Sequence, residues 1–178
     1  MSLKKVKISL GSKKFELPLI EGTLGHKGMD TSILNKEHIF SYDPGFTSTA
    51  ACKSAITYVD GEKGELLYRG YPIEQLAKKC DFLDVSYLLF NGELPNSKEK
   101  EVYSSNINGQ SLLHDQLNNV FRGFRRDAHP MAVMVGVVGS MAAFYFDNMN
   151  INNRNHRKVS ANRLLAKVPT IAAWSHTY

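Results

Sequence analysis

Apolar and polar residues alternate along the first twenty positions of the chain, and a Gly11-Ser12 pair interrupts the alternation. The apolar members are Val6, Ile8 and Leu10, followed by Phe15, Leu17 and Leu19. A period of two broken by a short turn sequence predicts a β-hairpin. A second hairpin is predicted over residues 56–68, with its turn at residues 60–64.

After Gly70 the apolar period changes from two to 3.6, which predicts helices. The first is expected to begin at Pro72, and the second to be capped by Asp81 and to end at Asn91-Gly92. A further helix is predicted from one apolar face, made of Leu113, Leu117, Phe121 and Phe124. Two more are expected at residues 130–145 and from about His156 onward. In the last one, Pro169 should kink or restart the helix.

These elements predict a mainly α protein with a small β-rich start. We expect a β-rich region with an irregular segment at residues 1–70 and a helical part at residues 71–178. Residues 21–50 show no sustained period and are expected to be ordered but irregular. Because apolar residues 171–174 lie close to the last residue, the helical part is expected to continue in a longer protein.

The composition indicates the general class of protein but does not identify a function. The chain has 178 residues, 43% of them hydrophobic and 22% charged, which is typical of a soluble globular domain. The net charge of +5 is a weak indication of any partner. Arg122, Arg125 and Arg126 form no more than a local basic cluster, and no recognition motif is present, so we expect no nucleic-acid binding.

The cysteines, the N-terminus and the most apolar stretch of the sequence bear on the location of the protein in the cell. Two scattered cysteines, Cys52 and Cys80, favour neither a disulfide framework nor a zinc site and fit a reducing cytoplasm. The N-terminus has no signal-peptide pattern. The most apolar stretch, residues 131–146, is shorter than the ~20 residues that span a bilayer. We therefore expect a cytoplasmic protein without membrane association.

The six histidines, at positions 26, 38, 114, 129, 156 and 176, were candidates for catalysis or metal binding. None stands in a zinc-ligand motif, and no Ser or Cys has a nucleophile signature. No catalytic residue and no metal ligand is therefore predicted. The histidines are expected to be structural, with His129 at a helix start.

Arg163 and Lys167 lie four residues apart and should project from one face of a helix. Like charges at this spacing repel each other unless an anion lies between them, and a diphosphate would convert the repulsion into charge-assisted hydrogen bonds. The alternative is a solvated basic face paired with Asp or Glu elsewhere. Spacing alone leaves both open.

Small residues recur within the predicted helix at 130–145, namely Gly136, Gly139, Ser140, Ala142 and Ala143. Small side chains let another backbone approach closely. The pattern fits tight packing within one subunit and fits a subunit interface equally well.

Three segments resemble one family in order and spacing. They are FSYDPGFTSTAACKSAITYVDGEKGELLYRGYPIEQLA (40–77), FRRDAHPMAVM (124–134) and RLLAKVPTIAA (163–173). Together they resemble the N-terminal portion of bacterial citrate synthases, of the type II, hexameric, NADH-sensitive kind. The resemblance implies the citrate synthase fold, with large-domain helices after a small β-rich region.

The resemblance further implies an acyltransferase, citrate (Si)-synthase, at the entry to the tricarboxylic acid cycle. The complete subunit would condense acetyl-CoA with oxaloacetate and water to give citrate and CoA, without a metal or cofactor. The family's catalytic residues lie C-terminal to the position matching Tyr178, so this chain alone is predicted inactive. The implied assembly is a homodimer and then a hexamer, formed through the helices beginning near Pro130 and His156.

A regulatory NADH site is also implied, because residues matching Tyr145, Arg163 and Lys167 help bind NADH in the inhibited members. Those members have an Arg-His-Thr triplet where this chain has Gly109, Gln110 and Ser111. Two potentially cationic contacts are lost, so weaker NADH binding is expected. The alternative to a citrate synthase segment is a non-catalytic dimerisation or interaction module of the same ancestry.

Overall fold

The computed structural model describes residues 4–177 of the chain. Two compact units divide at the Leu94–Pro95 bond. The strands are β1 (Lys5–Leu10), β2 (Lys13–Ile20), β3 (Gly28–Met29), β4 (Thr57–Asp60), β5 (Glu65–Tyr68) and β6 (Tyr71–Pro72). The helices are α1 (Ile73–Lys79), α2 (Phe82–Asn91), α3 (Ser97–Asn108), α4 (Leu117–Arg122), α5 (Pro130–Phe144) and α6 (Arg154–Thr177).

The first unit contains both predicted hairpins. Strands β1 and β2 pair antiparallel with Val6 opposite Leu17, and Gly11 at the turn has a φ of +60°. Leu17 is completely buried, so the alternation does place one apolar side of this hairpin inward. Strands β4 and β5 form the second hairpin, with β6 added at the edge of β5.

Helices α1 and α2 belong to the same unit as the strands. The change of period at Gly70 therefore marks where strands give way to helices, whereas the compact units divide 24 residues later, after Leu94. Helix α2 begins as expected: the Asp81 carboxylate accepts from the Asp84 backbone N–H, and the Asp84 carboxylate accepts from that of Asp81. It ends at Gly92, whose φ of +98° is the left-handed conformation that glycine tolerates.

The segment between the two hairpins is irregular apart from β3 and a 3₁₀ helix at Ser32–Glu37. Asp43 organises one of its loops. The carboxylate accepts hydrogen bonds from the Ser48 backbone N–H at 2.9 Å and from the Thr49 hydroxyl at 2.6 Å, besides two from Thr47. These bonds lower the pKa of Asp43 to about 2.

The second unit packs its helices around one apolar core. The core residues are Leu117 and Phe121 from α4, Val133, Val137 and Met141 from α5, and Ile171 from α6. The Phe121 ring packs edge-on against the Trp174 ring, with centroids 5.5 Å apart. This core fixes the arrangement of α4, α5 and α6.

In this unit, one helix is shorter than the sequence predicted and another was not predicted. Helix α4 covers only residues 117–122, so Leu113 and Phe124 flank the helix although both pack against the core. Helix α3 was not predicted, because it is mostly polar and has no strong apolar stripe. Its start was readable, since Asn96 and Glu99 form a reciprocal capping box.

Pro169 lies inside α6 and does not divide it. The helix is continuous from Arg154 to Thr177, which excludes a restart, one of the two effects expected of Pro169. Pro169 is exposed, which places its ring and its missing N–H away from the packed side of the helix. Over residues 4–177, no helix is both long enough and apolar enough to cross a membrane.

The close packing expected from the small residues of α5 is present at one of them. A Cβ at Gly136 would lie only 2.5 Å from Cζ of Phe124, so the phenyl ring occupies the space that a side chain would need. Gly139 is different, because a Cβ there would meet nothing within 4 Å. Tight packing inside the unit thus explains Gly136 and leaves Gly139 unexplained.

Candidate anion-binding site

The structure brings the three residues of the predicted regulatory site together. Tyr145 follows directly after α5, and Arg163 and Lys167 lie one turn apart on α6. The Arg163 guanidinium carbon is 4.6 Å from the centre of the Tyr145 ring, and the Lys167 ammonium is 5.0 Å from it. Both distances are within the range of a cation–π interaction, so the ring offsets part of the repulsion between the cations.

Lys167 is buried and has internal partners. Only 4% of the surface of this residue is exposed. The ammonium group donates to the backbone carbonyl of Gln110 at 2.7 Å and also to that of Leu112. A buried ammonium must find such acceptors, because desolvation without them is costly. Lys167 therefore holds the loop that follows α3 and has little room for a ligand oxygen.

Arg163 has a carboxylate partner, Asp147. The two guanidinium nitrogens Nη1 and Nη2 donate to the two carboxylate oxygens at 3.2 and 3.5 Å. The hydrogen bond from Arg163 is the main reason that the pKa of Asp147 is lowered. The expectation of a carboxylate paired with the basic face is met at Arg163, whereas Lys167 uses backbone carbonyls instead.

The loop at Gly109, Gln110 and Ser111 lies beside these residues, as the predicted site requires. The Ser111 hydroxyl donates to the Asn108 carbonyl at 2.9 Å, and the Gln110 amide donates to that of Asn106 at 3.3 Å. These side chains close the C-terminal end of α3. Only the backbone of the loop reaches Lys167.

Asp147 is the residue of this site that the sequence did not reveal. It lies in a short 3₁₀ turn, Phe146–Asn148, two residues after Tyr145. Its pairing with Arg163 spans 16 residues and depends on how α5 and α6 pack. An acidic residue two positions after Tyr145 was the available signal, but spacing alone does not identify its partner.

Three of the histidines are engaged by nearby backbone groups. Nδ1 of His129 accepts from the Met131 backbone N–H and caps α5, as expected. Nδ1 of His114 and of His156 likewise accept backbone N–H groups, from Gln116 and Asn150. Within residues 4–177, no three His, Cys, Asp or Glu side chains cluster in a way that could hold a metal ion.

A second feature of this unit is an exposed apolar side of α5. Met131 is 58% exposed and Val135 is 73% exposed. Ala132, Gly139 and Ala142 continue the same exposed side at helical spacing. Such a row on an otherwise core-forming helix is what a second surface would cover.

Comparisons with solved structures show the same fold. A citrate synthase from Pyrobaculum aerophilum matches with 27% identity and a TM-score of 0.67, over 97% of this chain and 40% of that one. The enzyme from Thermotoga maritima matches with 27% identity and a TM-score of 0.63, over 75% and 34%. A ternary complex of carboxymethyl coenzyme A and oxaloacetate with citrate synthase from Thermoplasma acidophilum matches with 23% identity and a TM-score of 0.68, over 76% and 35%.

The chain thus spans 34–40% of the length of these structures. The mainly helical fold with a small β region, implied by the sequence resemblance, is confirmed. A family model described as citrate synthase, C-terminal domain, matches residues 45–178, well over half of the sequence. The chain therefore belongs to the citrate synthase family.

Proposed function

We propose that this chain is the scaffold segment of a citrate synthase subunit, which condenses acetyl-CoA with oxaloacetate and water to give citrate and CoA. The observation that carries the proposal is the family match over residues 45–178 together with the shared fold. In this proposal the subunit is a citrate (Si)-synthase, an acyltransferase of the tricarboxylic acid cycle. It needs no metal or cofactor.

The residues that perform the chemistry are proposed to lie outside this chain. Removing a methyl proton from a thioester requires a positioned base and groups that stabilise the developing negative charge. The imidazoles of His114, His129 and His156 instead accept backbone hydrogen bonds. This local engagement supports a structural role for them and an inactive isolated chain.

The activity of the complete subunit is tested on the product translated beyond Tyr178. An in-frame continuation, expressed and purified, should release CoA thiol only when both acetyl-CoA and oxaloacetate are present. A longer product that is folded and releases no thiol rejects the proposed reaction. A stop codon shortly after Tyr178 supports the second candidate, a non-catalytic interaction module.

The exposed side of α5 favours self-association, whichever candidate holds. We propose that α5 and α6 pack against a second copy, giving a homodimer that can assemble into a hexamer. Gly139 has open space beside it, so another backbone can approach there. Burial of Met131 and Val135 would remove two large exposed apolar groups from water.

Light scattering after size exclusion tests this interface. The wild-type chain should have the mass of a dimer, and Val135→Glu should have the mass of a monomer because a carboxylate is costly to bury. The matched control is Val102→Glu on α3, also at an exposed valine, which should stay dimeric. A wild-type monomer, or a dimer unaffected by Val135→Glu, would count against the interface.

The site around Tyr145 is proposed to bind an anionic dinucleotide, NADH, as a regulatory inhibitor of a type II hexameric enzyme. The proximity of Tyr145, Arg163 and Lys167 supports this proposal. The two Nη groups of the Arg163 guanidinium, here called the Arg163 fork, can donate to a diphosphate, and the Tyr145 ring beside them is a stacking surface. The proposed location is the cytoplasm, which the free Cys52 and Cys80 support.

A further inference from the structure

Arg163 presents its guanidinium to a carboxylate that comes from the solvent side. The Arg163 side chain is 16% exposed, whereas that of Asp147 is 59% exposed. The carboxylate therefore lies between the guanidinium and the water from which any ligand would arrive. Both of its oxygens are within 3.5 Å of the guanidinium nitrogens, which is the arrangement that a bound phosphate would take.

Arg163 is also the cation of this site that an incoming anion can reach. Lys167 is buried and directs its ammonium to the carbonyls of Gln110 and Leu112. Without a contribution from Lys167, the affinity of the site for an anion depends mainly on the Arg163 fork. A group that occupies this fork therefore controls binding.

The turn that carries Asp147 can release the carboxylate without disturbing the core. Phe146 and Asp147 are exposed, and no residue of the Phe146–Asn148 turn is buried. The turn stays attached to α6 because the Ser160 hydroxyl donates to the Asn148 carbonyl at 2.9 Å. The Asn148 side-chain amide also donates to Asp147 at 2.5 Å. To leave the Arg163 guanidinium, the Asp147 side chain must give up its hydrogen bonds with Arg163 and Asn148, neither of which is a buried residue.

We propose that Asp147 is an internal competitor for Arg163, which a nucleotide phosphate must displace in order to bind. The inference rests on the proposed anion site and adds its regulation. Asp147 lowers affinity in two ways, since it occupies the guanidinium and repels a second anion. An ion pair of this kind is worth about 0.2–1 kcal/mol, so its removal should tighten binding by a factor of about 1.4 to 5.

The test is a fluorescence titration of NADH against the full 178-residue chain, with inorganic pyrophosphate as a competing probe. Asp147→Asn keeps the size of the side chain and removes its charge. The matched control is Asp127→Asn, because Asp127 pairs with Arg125 at 2.7 Å on another exposed part of the same unit. Arg163→Gln tests the anion site itself. Circular dichroism of each variant checks whether the fold is retained.

Each outcome decides between the two proposals. Tighter NADH binding by Asp147→Asn, with Asp127→Asn unchanged, supports the competitor, and so does binding by Asp147→Asn where the wild type binds none. Wild-type binding that is lost in Arg163→Gln but equal or weaker in Asp147→Asn overturns the competitor and leaves the site standing. No binding by the wild type or by Asp147→Asn overturns both.

Discussion

The ammonium group of Lys167 donates a hydrogen bond of 2.7 Å to the backbone carbonyl of Gln110, 57 residues earlier in the chain. This bond connects α6 to the end of α3, and it makes Lys167 a structural residue as well as a member of the candidate site. A basic residue chosen from the sequence for its charge therefore acts first through hydrogen bonding in the interior.

Replacing Lys167 should lower the stability of the chain. Lys167→Met keeps most of the volume but leaves the carbonyls of Gln110 and Leu112 without their donor. The expected loss is about 1–3 kcal/mol in the free energy of unfolding, measured by urea denaturation. The control is Lys158→Met, at an exposed position of the same helix, which should change stability by less than about 0.5 kcal/mol. Equal stability of the two variants would contradict the structural role.

Two glycines of α5 should respond in opposite directions to the same substitution. Gly136→Ala places a Cβ against the Phe124 ring and should destabilise the chain by about 1–3 kcal/mol. In the Val135→Glu background, in which the proposed second copy does not cover α5, Gly139→Ala meets nothing within 4 Å and should stabilise the helix by about 0.5–1 kcal/mol. Thermal unfolding of both variants checks the pair. A tolerated Gly136→Ala would show that Phe124 does not pack there.

The part of the fold that the sequence predicted is the part set by neighbouring residues. The hairpin at Gly11, the capping box of Asp81 and the helix end at Gly92 all depend on interactions within a few positions. The missed helix α3 had a local signal of the same kind at Asn96, but its mostly polar composition hides the helical period.

The contacts that the sequence could not reveal join distant positions. Phe124 against Gly136, Asp147 against Arg163, and Lys167 against Gln110 all depend on how helices pack, which periodicity does not specify. The resemblance selected Tyr145, Arg163 and Lys167, and the structure places them together. The resemblance did not indicate that Arg163 and Lys167 already have hydrogen-bond partners within the chain.

The loop organised by Asp43 should lose its order in acid. The folded pKa of about 2 lies below the ordinary value of 3.8, so the stabilisation is fully present above about pH 4. It should decline below pH 4 and be lost as the pH falls through 2. Hydrogen exchange of the Ser48 amide measures this, with Asp43→Asn as the reference.

At pH 6, the wild type should protect the Ser48 amide more than Asp43→Asn does, and at pH 2, where about half of the Asp43 carboxyl is protonated, most of this difference should be lost. A difference that persists unchanged at pH 2 would show that the Asp43 charge is not what orders the loop. Circular dichroism at pH 2 checks that both variants remain folded, because global unfolding would remove the protection in both.

Restoring the Arg-His-Thr triplet at Gly109, Gln110 and Ser111 should strengthen NADH binding. Gly109 has a φ of −65°, which an arginine adopts, and its Cβ would lie 3.2 Å from the Ser105 carbonyl oxygen, a close contact that needs a small shift of the backbone. Lys167 bonds to backbone carbonyls of this loop, which the substitutions keep. A new charge-assisted hydrogen bond is worth about 1.5–3 kcal/mol, so an increase of about tenfold or more is expected. The control is Ser105→Arg, an added charge at an exposed position of α3.

Fluorescence titration at low and high salt compares the two. If Ser105→Arg raises NADH affinity as much as the restored triplet does, the gain comes from net charge and the triplet has no specific role. A gain confined to the triplet would agree with a ligand that lies across Tyr145 and the end of α3.

We propose that this chain is the scaffold of a citrate synthase subunit and that the catalytic residues lie outside it. The most direct test is a thiol-release assay on the purified 178-residue chain, with saturating acetyl-CoA and oxaloacetate and a complete citrate synthase as the positive control. The predicted result is no release above the rate without protein. Release that requires both substrates and scales with the amount of chain would show that catalytic residues lie within these 178 residues and would contradict the proposal.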